Sequence, residues 1–190
     1  EDLATPAFHW LGLRKILWID LTGEEHEWEA AYRKTRKGNL DGVTVIYRIV
    51  HDQPDLHEVV LVSQFRPTLG VLVMEAPAGL MDDNESAQEA ASREPYKETG
   101  IPAKMKWASP SVVIDPGMGD ANTVYVAAEI NNNAATNCVA HNDDGEFLTV
   151  HRVAMEGLLT SLQIFSRIGY QVDARLYAYA MGLQQNANRR

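Results

Sequence analysis

Glu94 and Glu98 stand four residues apart in a stretch dense with charge. On an α-helix, residues at i and i+4 lie one above the other, so this spacing stacks two carboxylates on one face. In water such a pair repels itself. A hard divalent cation, which prefers oxygen ligands, converts the repulsion into a binding site. Glu85 and Arg93 belong to the same stretch, and a Pro-Ala-Gly turn (Pro77, Ala78, Gly79) precedes it. The plain alternatives are a surface helix with a solvated acidic face and, for Glu85 with Arg93, an exposed ion pair worth about 0.3–0.5 kcal/mol. Pro95 and Lys97 sit in the middle of the same turn and complicate any cation site.

The helix that must carry these residues has clear start and stop signals. Ser86 followed by Glu89 is a capping box, and Gly100 stands where a left-handed C-terminal cap is expected. Ala87, Ala90 and Ala91 form a small-residue face suited to close packing on a sheet. Before it, residues 10–20 and 25–35 read as a hairpin around Thr22-Gly23, containing Trp10, Trp18 and Trp28. The polar run 34–41 marks a boundary, giving an N-terminal appendage (1–38) and a main domain (39–190). The β-branched runs 42–50 and 58–63 predict an antiparallel pair, with further strands at 72–75, 104–108 and 123–129. Residues 131–144 predict an Asn-rich loop, and 153–165 and about 172–185 two closing helices. Strands, a helix, more strands and then helices argue for an α/β (α+β) sandwich.

Composition limits the classes of function. A chain of 190 residues, 45% hydrophobic and 23% charged, builds an ordinary globular core. The net charge of −9 argues against a nucleic-acid surface, so an anionic ligand would need local positive charge or metal ions. Cys138 is the single cysteine, which excludes an intrachain disulfide and suits a reducing, cytoplasmic setting. No apolar run approaches the roughly 20 residues that span a bilayer.

Gly79, Glu85, Arg93-Glu94, Glu98, Gly100 and Ile101 together resemble the Nudix box, GX5EX7REUXEEXGU with U bulky and apolar; seven of its nine defined positions agree over 23 residues. Gln64-Phe65-Arg66-Pro67, Glu75-Ala76-Pro77-Ala78-Gly79-Leu80, Asp115-Pro116-Gly117, Gly145-Glu146-Phe147 and the aromatic hairpin are similar to the ADP-ribose pyrophosphatase branch of that family. The resemblance covers about residues 10–185. It implies an α/β/α Nudix sandwich with a mixed sheet, and a homodimer that exchanges its N-terminal hairpin. The implied reaction is Mg²⁺-dependent (Mn²⁺ as a substitute) hydrolysis of the pyrophosphate of ADP-ribose or a related nucleoside diphosphate sugar, giving AMP and a sugar phosphate.

The resemblance also assigns residues. Glu94, Glu98 and the Ala78 carbonyl would bind metal, Glu85 would support the site, and Arg93 would orient a neighbouring glutamate. Glu146 would activate or position the attacking water, a role that requires hydrogen-bond reach to that water. Trp10 and Trp28 would sandwich adenine; hairpin core packing is the alternative for both. Arg66 and Arg33 would contact phosphate, Asp115 the terminal ribose, and Leu80 the substrate. Two positions depart from the box. Pro95 replaces an apolar residue and removes a helix hydrogen bond at a cost of about 3 kcal/mol. Lys97 replaces a glutamate, a swing of two charge units at the cation site. The sequence therefore supports two readings: an active pyrophosphatase with a modified metal site, or a Nudix-fold protein that binds a nucleotide sugar without efficient hydrolysis.

Overall fold

The computed structural model describes residues 2–3, 8–36, 38–82, 84–100, 104–131 and 147–187, with the side chains of Asp2, Leu3, Glu94, Pro95, Glu98, Thr99 and Asn131 outside that description. Its first unit is a three-stranded antiparallel sheet: Asp2–Leu3 (β1), Leu11–Ile19 (β2) and Glu25–Arg33 (β3), in the order β1-β2-β3. Asp20 closes the β2–β3 turn by accepting hydrogen bonds from the Thr22 N–H (2.7 Å) and the Glu24 N–H (3.1 Å). Gly23 supplies the positive φ of +90° that this turn requires. The hairpin buries little of its apolar surface: Trp10, Leu17 and Ile19 are 70%, 71% and 65% exposed.

The main sheet follows. Gly42–Val50 (β4) runs antiparallel to Glu58–Arg66 (β5) at residues 58–60 and parallel to Asn122–Asn131 (β9) along its whole length. Its sequence, GVTVIYRIV, is mostly buried, as expected of a central strand covered on both faces. Val71–Glu75 (β6) continues the sheet beyond β5, and Ala78–Leu80 (β7) pairs with the start of β4. Lys104–Val113 (β8) forms the far edge against β9.

Three helices complete the layers. On one face, Ala87–Thr99 (α1) packs Ala90 and Ala91 onto Val43, Val45, Tyr47 and Ile49 of β4 and onto Val124 and Val126 of β9. On the other, Leu158–Arg167 (α2) and Ala174–Ala187 (α3) bury Leu158, Leu162, Leu176 and Ala180 against Val59, Leu61 and Met74. Alternate residues of one strand feed the two clusters, because successive strand side chains point to opposite faces. The result is the expected α/β/α sandwich with a mixed sheet. No helix among the described residues is long and apolar enough to cross a membrane.

Three expectations from sequence are corrected. Residues 153–154 end a strand rather than start a helix: Leu148–Ala154 (β10) pairs with β5 from Leu148–Gln64 to Ala154–Glu58. The helix begins only after Gly157, whose φ of +70° breaks the extended chain. Residue 172 belongs to Gln171–Val172 (β11), parallel to β6, and α3 starts after Asp173, whose Oδ1 accepts the Arg175 N–H (2.8 Å) and Leu176 N–H (3.2 Å). The strand at residue 104 does not stop at 108. It passes Pro110 through register shifts, and the Ser109 hydroxyl accepts the Tyr125 N–H at 2.9 Å where the regular ladder is lost. The loop expected at 131–144 lies almost entirely outside the described residues.

Pro95 does not end α1. The helix continues to Thr99, and Gly100 caps it at φ +70° with its N–H on the Tyr96 carbonyl at 2.6 Å. The Ser86–Glu89 capping box is fully formed, and the buried alanines anchor the central turns. These contributions, each about 1 kcal/mol or more, offset the hydrogen bond that proline removes.

One buried titratable pair predicts a pH effect. Ser63, 2% exposed, shares a 2.8 Å hydrogen bond with His151 Nε2 across β5 and β10, and Phe165 of α2 packs edge-on at 5.6 Å. Burial holds the His151 pKa below its usual 6.5. The folded state therefore favours the neutral ring, and the unfolded chain binds the proton first as pH falls. The stability contribution is complete above about pH 6.5 and declines below it. Thermal unfolding followed from pH 7.5 to 5.5 is expected to show a falling Tm, with the fall reduced in His151→Gln. Equal slopes in the two proteins would contradict this.

Candidate active site

A cleft of about 620 Å³ opens at one end of the sandwich, between β4, β7, α1 and the start of α3. Its floor is the loop that leads into α1. Gly42 makes that loop possible: a Cβ there would stand 2.4 Å from the Gly79 carbonyl oxygen, so only glycine lets β7 lie against β4. The Val45 N–H donates to the Pro77 carbonyl (2.8 Å) and the Met81 N–H to the Asp41 carbonyl (3.1 Å), fixing both ends of the Ala78–Leu80 segment.

Arg93, from the middle of α1, holds the same loop from above. Its Nε and Nη2 form a fork onto Glu85 at 2.7 and 2.6 Å, Nη2 also reaches the Leu80 carbonyl at 3.2 Å, and Asp82 lies 3.3 Å away. Glu85 in turn accepts the Asp82 N–H at 3.0 Å. The Arg93 hydrogen bonds hold the Glu85 carboxyl below its ordinary range, although burial opposes them. An ammonium cannot reproduce a fork plus a carbonyl contact. Arg93→Lys is therefore expected to cost about 1–3 kcal/mol of stability. It should also speed amide exchange at Asp82; unchanged exchange there would show that the fork does not order the loop.

The cleft gathers five of the eleven site residues singled out from sequence. Ala78, Leu80, Arg33, Arg66 and Arg93 all line it, together with Lys97. Arg66 is held by Glu75 through Nε–Oε2 (2.8 Å) and Nη2–Oε1 (3.0 Å) bonds. Glu94 and Glu98 follow Arg93 and Lys97 directly on α1, and their side chains lie outside the described residues. Glu146 lies outside the described residues.

The tryptophans behave differently. Trp28 is half-exposed and donates its indole N–H to the Gly117 carbonyl at 3.3 Å, while Trp10 is exposed and neither lines the cleft. Asp115 is brought next to Trp28 rather than into the cleft: its carbonyl accepts the Met118 and Gly119 N–H groups in the same turn that holds the indole.

Other cleft residues escaped the sequence reading. Asp173 and Arg175, joined by a charged fork at the start of α3, share the cleft with Tyr125, whose hydroxyl is pushed up by burial. Asp41, 5% exposed, also opens onto it. Strand ends and a helix start far apart in sequence leave no local pattern that would group these positions.

Oxygen donors for a hard cation are present in the right chemistry: a backbone segment at Ala78 and carboxylates encoded on the adjoining helix. The described residues also hold an Asp20, Glu24 and His26 group at the hairpin tip, with ligand atoms within 4.8 Å of one another. There Asp20 is already engaged by the Thr22 hydroxyl (2.6 Å), His26 (2.9 Å) and two backbone N–H groups, and these bonds hold its carboxyl far below the usual range. That group closes a turn.

The profile of the NUDIX domain matches residues 39–167. The chain belongs to the Nudix family. Among its relatives, the ADP-ribose pyrophosphatase of Saccharomyces cerevisiae is 34% identical over 177 residues, covering 92% of this chain and 77% of the relative. The ADP-sugar pyrophosphatase of Mus musculus is 38% identical over 183 residues, 92% of this chain and 82% of its own length. An uncharacterized Nudix hydrolase of Schizosaccharomyces pombe is 33% identical over 186 residues, 96% and 90% of the two chains.

Proposed function

We propose that this Nudix protein hydrolyses the pyrophosphate bond of ADP-ribose or a closely related nucleoside diphosphate sugar, releasing AMP and a sugar phosphate. The observation that carries the reading is the set of cations in the cleft. In a chain of net charge −9, Arg33, Arg66, Arg93, Arg175 and Lys97 line it around the Ala78–Leu80 floor and balance Asp41, Glu75, Asp82 and Asp173 of the same lining. Cations at that floor offset the repulsion that a polyanion would otherwise meet. The ADP-ribose and ADP-sugar pyrophosphatase relatives supply the substrate class.

A divalent cation, Mg²⁺ with Mn²⁺ as a substitute, would neutralise the diphosphate and stabilise charge on the leaving phosphate. Glu94, Glu98 and the Ala78 carbonyl are its proposed ligands. Arg66 and Arg33 bind the diphosphate, with Arg66 held ready by its fork on Glu75. Leu80 packs on the substrate, and Asp115 hydrogen-bonds the terminal ribose. Glu146 holds the attacking water and takes its proton. Trp10 and Trp28 stack on adenine, and their exposure away from the chain's own cleft favours a homodimer in which each hairpin serves the other subunit. The apolar surface left open by Leu11, Leu17 and Ile19 favours the same arrangement. The single cysteine favours a cytosolic location.

The decisive experiment incubates the protein with ADP-ribose and Mg²⁺ or Mn²⁺ and resolves AMP and ribose 5-phosphate by chromatography. Metal-dependent release of both is expected. Tight ADP-ribose binding by calorimetry without release would support the second reading, a nucleotide-sugar binding protein, which the Lys97 ammonium in the cleft favours. Light scattering reports the dimer directly, and a monomer would remove the shared-site arrangement.

A further inference from the structure

Asp41 is a buried carboxylate at the point where the hairpin stem meets the main sheet. Arg36 places a fork on it, Nε to Oδ1 at 2.8 Å with Nη2 on Oδ2. Asp41 Oδ2 also accepts the Asn122 N–H at 2.9 Å, and the Asp41 N–H returns to Asn122 Oδ1 at 2.9 Å. Its carbonyl takes the Met81 N–H, directly beyond the cleft floor. One residue thus joins the stem, the start of β9 and the loop entering α1.

Arg36 does not stop at Asp41. Its Nη1 lies 3.0 Å from Asp120 Oδ2 and its Nη2 2.6 Å from the Asp120 carbonyl. Arg14 of β2 approaches the same carboxylate at 3.6 Å. The turn that ends at Asp120 also carries the hairpin's main contacts: Gly117 accepts the Trp28 indole N–H, and the Met118 carbonyl accepts the Ala31 N–H at 2.9 Å. Gly119 comes so near that a Cβ would stand 2.4 Å from the Ala31 carbonyl oxygen. Among the described residues the hairpin therefore docks on this turn, and Arg36 ties that turn to the floor of the cleft.

We propose that Arg36 is a positioning residue for nucleotide recognition: by gripping Asp41 and Asp120 together, it fixes the angle between the hairpin and the cleft, and so the placement of Trp28. The proposal rests on the reading that Trp28 binds the base. A planar guanidinium with five donors can serve both acids at once; an ammonium cannot hold the same fork and bridge. A residue that acts only on ground-state placement of the base changes KM, whereas the reacting phosphates and kcat stay as they were.

The test measures ADP-ribose hydrolysis for Arg36→Ala, Arg36→Lys, Trp28→Ala and the Arg36→Ala/Trp28→Ala double variant, with amide exchange at Ala31 as a readout independent of activity. Arg36→Ala is expected to raise KM about tenfold with kcat within about twofold, and Arg36→Lys to fall between it and the parent. The double variant is expected to match Trp28→Ala alone, because residues acting through one another do not add. Ala31 should exchange faster in Arg36→Ala. An unchanged KM, fully additive effects, or unchanged exchange at Ala31 would overturn the proposal. If Arg36→Ala fails to fold because Asp41 loses its partner, Asp120→Asn keeps the buried fork and carries the same expectations at smaller size. A parent protein without hydrolysis sinks the substrate reading instead, and positioning by Arg36 is then read from AMP affinity and Ala31 exchange.

Discussion

Glu98→Gln is expected to lower kcat for ADP-ribose hydrolysis about a hundredfold or more, since a metal ligand contributes several kcal/mol of charge stabilisation and each 1.4 kcal/mol is tenfold in rate. The substitution keeps an oxygen donor of the same length and removes one negative charge. A loss therefore reports charge at the cation rather than packing. The helix should be unaffected, because its stability comes from the Ser86–Glu89 capping box, the Gly100 cap and the buried Ala90 and Ala91. Circular dichroism of the variant should match the parent, and the metal concentration for half-maximal rate should rise. A kcat within threefold of the parent would remove Glu98 from the metal site.

Lys97→Glu is expected to move the same measurement in the opposite direction. Lys97 lines the cleft beside Arg93 and stands where the Nudix box has a glutamate. One charge unit about 6 Å from another contributes about 3 kcal/mol at an effective dielectric of about 20, before solvent screening. Exchanging the ammonium for a carboxylate swings two such units, so even a heavily screened effect lowers the half-saturating metal concentration about tenfold. The exchange also removes a cation that assists the diphosphate, which raises KM for ADP-ribose. Titrating metal at saturating substrate separates the two effects. Identical metal titrations for parent and variant would show that the Lys97 head does not act on the cation.

Much of this was legible in the chain itself. The box spacing, the capping box and the C-cap glycine are local patterns, and local patterns survive folding because each depends on residues within one or two turns. The β-branched run at 42–50 likewise stays a strand because its residue types favour a pleated, buried surface whatever lies beside it. The same locality explains the failures. Residues 153 and 154 read as the start of a helix, and their strand character came from pairing with β5, a partner more than ninety positions away. The cost read for Pro95 counts one lost hydrogen bond and cannot count the caps and buried alanines that offset it.

Residue types alone placed two glutamates and an arginine on one helix and implied an anion handled through a cation. Only the tertiary structure decided which distant residues share the cleft. Glu75, Asp41, Tyr125, Asp173 and Arg175 meet there because the strand order brings strand ends and the start of α3 to one edge. It also decided that Trp28 faces the turn at Gly117 and not its own cleft, a matter of how a hairpin docks rather than of which residues it contains. Sequence spacing encodes what is near along the chain; the cleft is made of groups brought near through space.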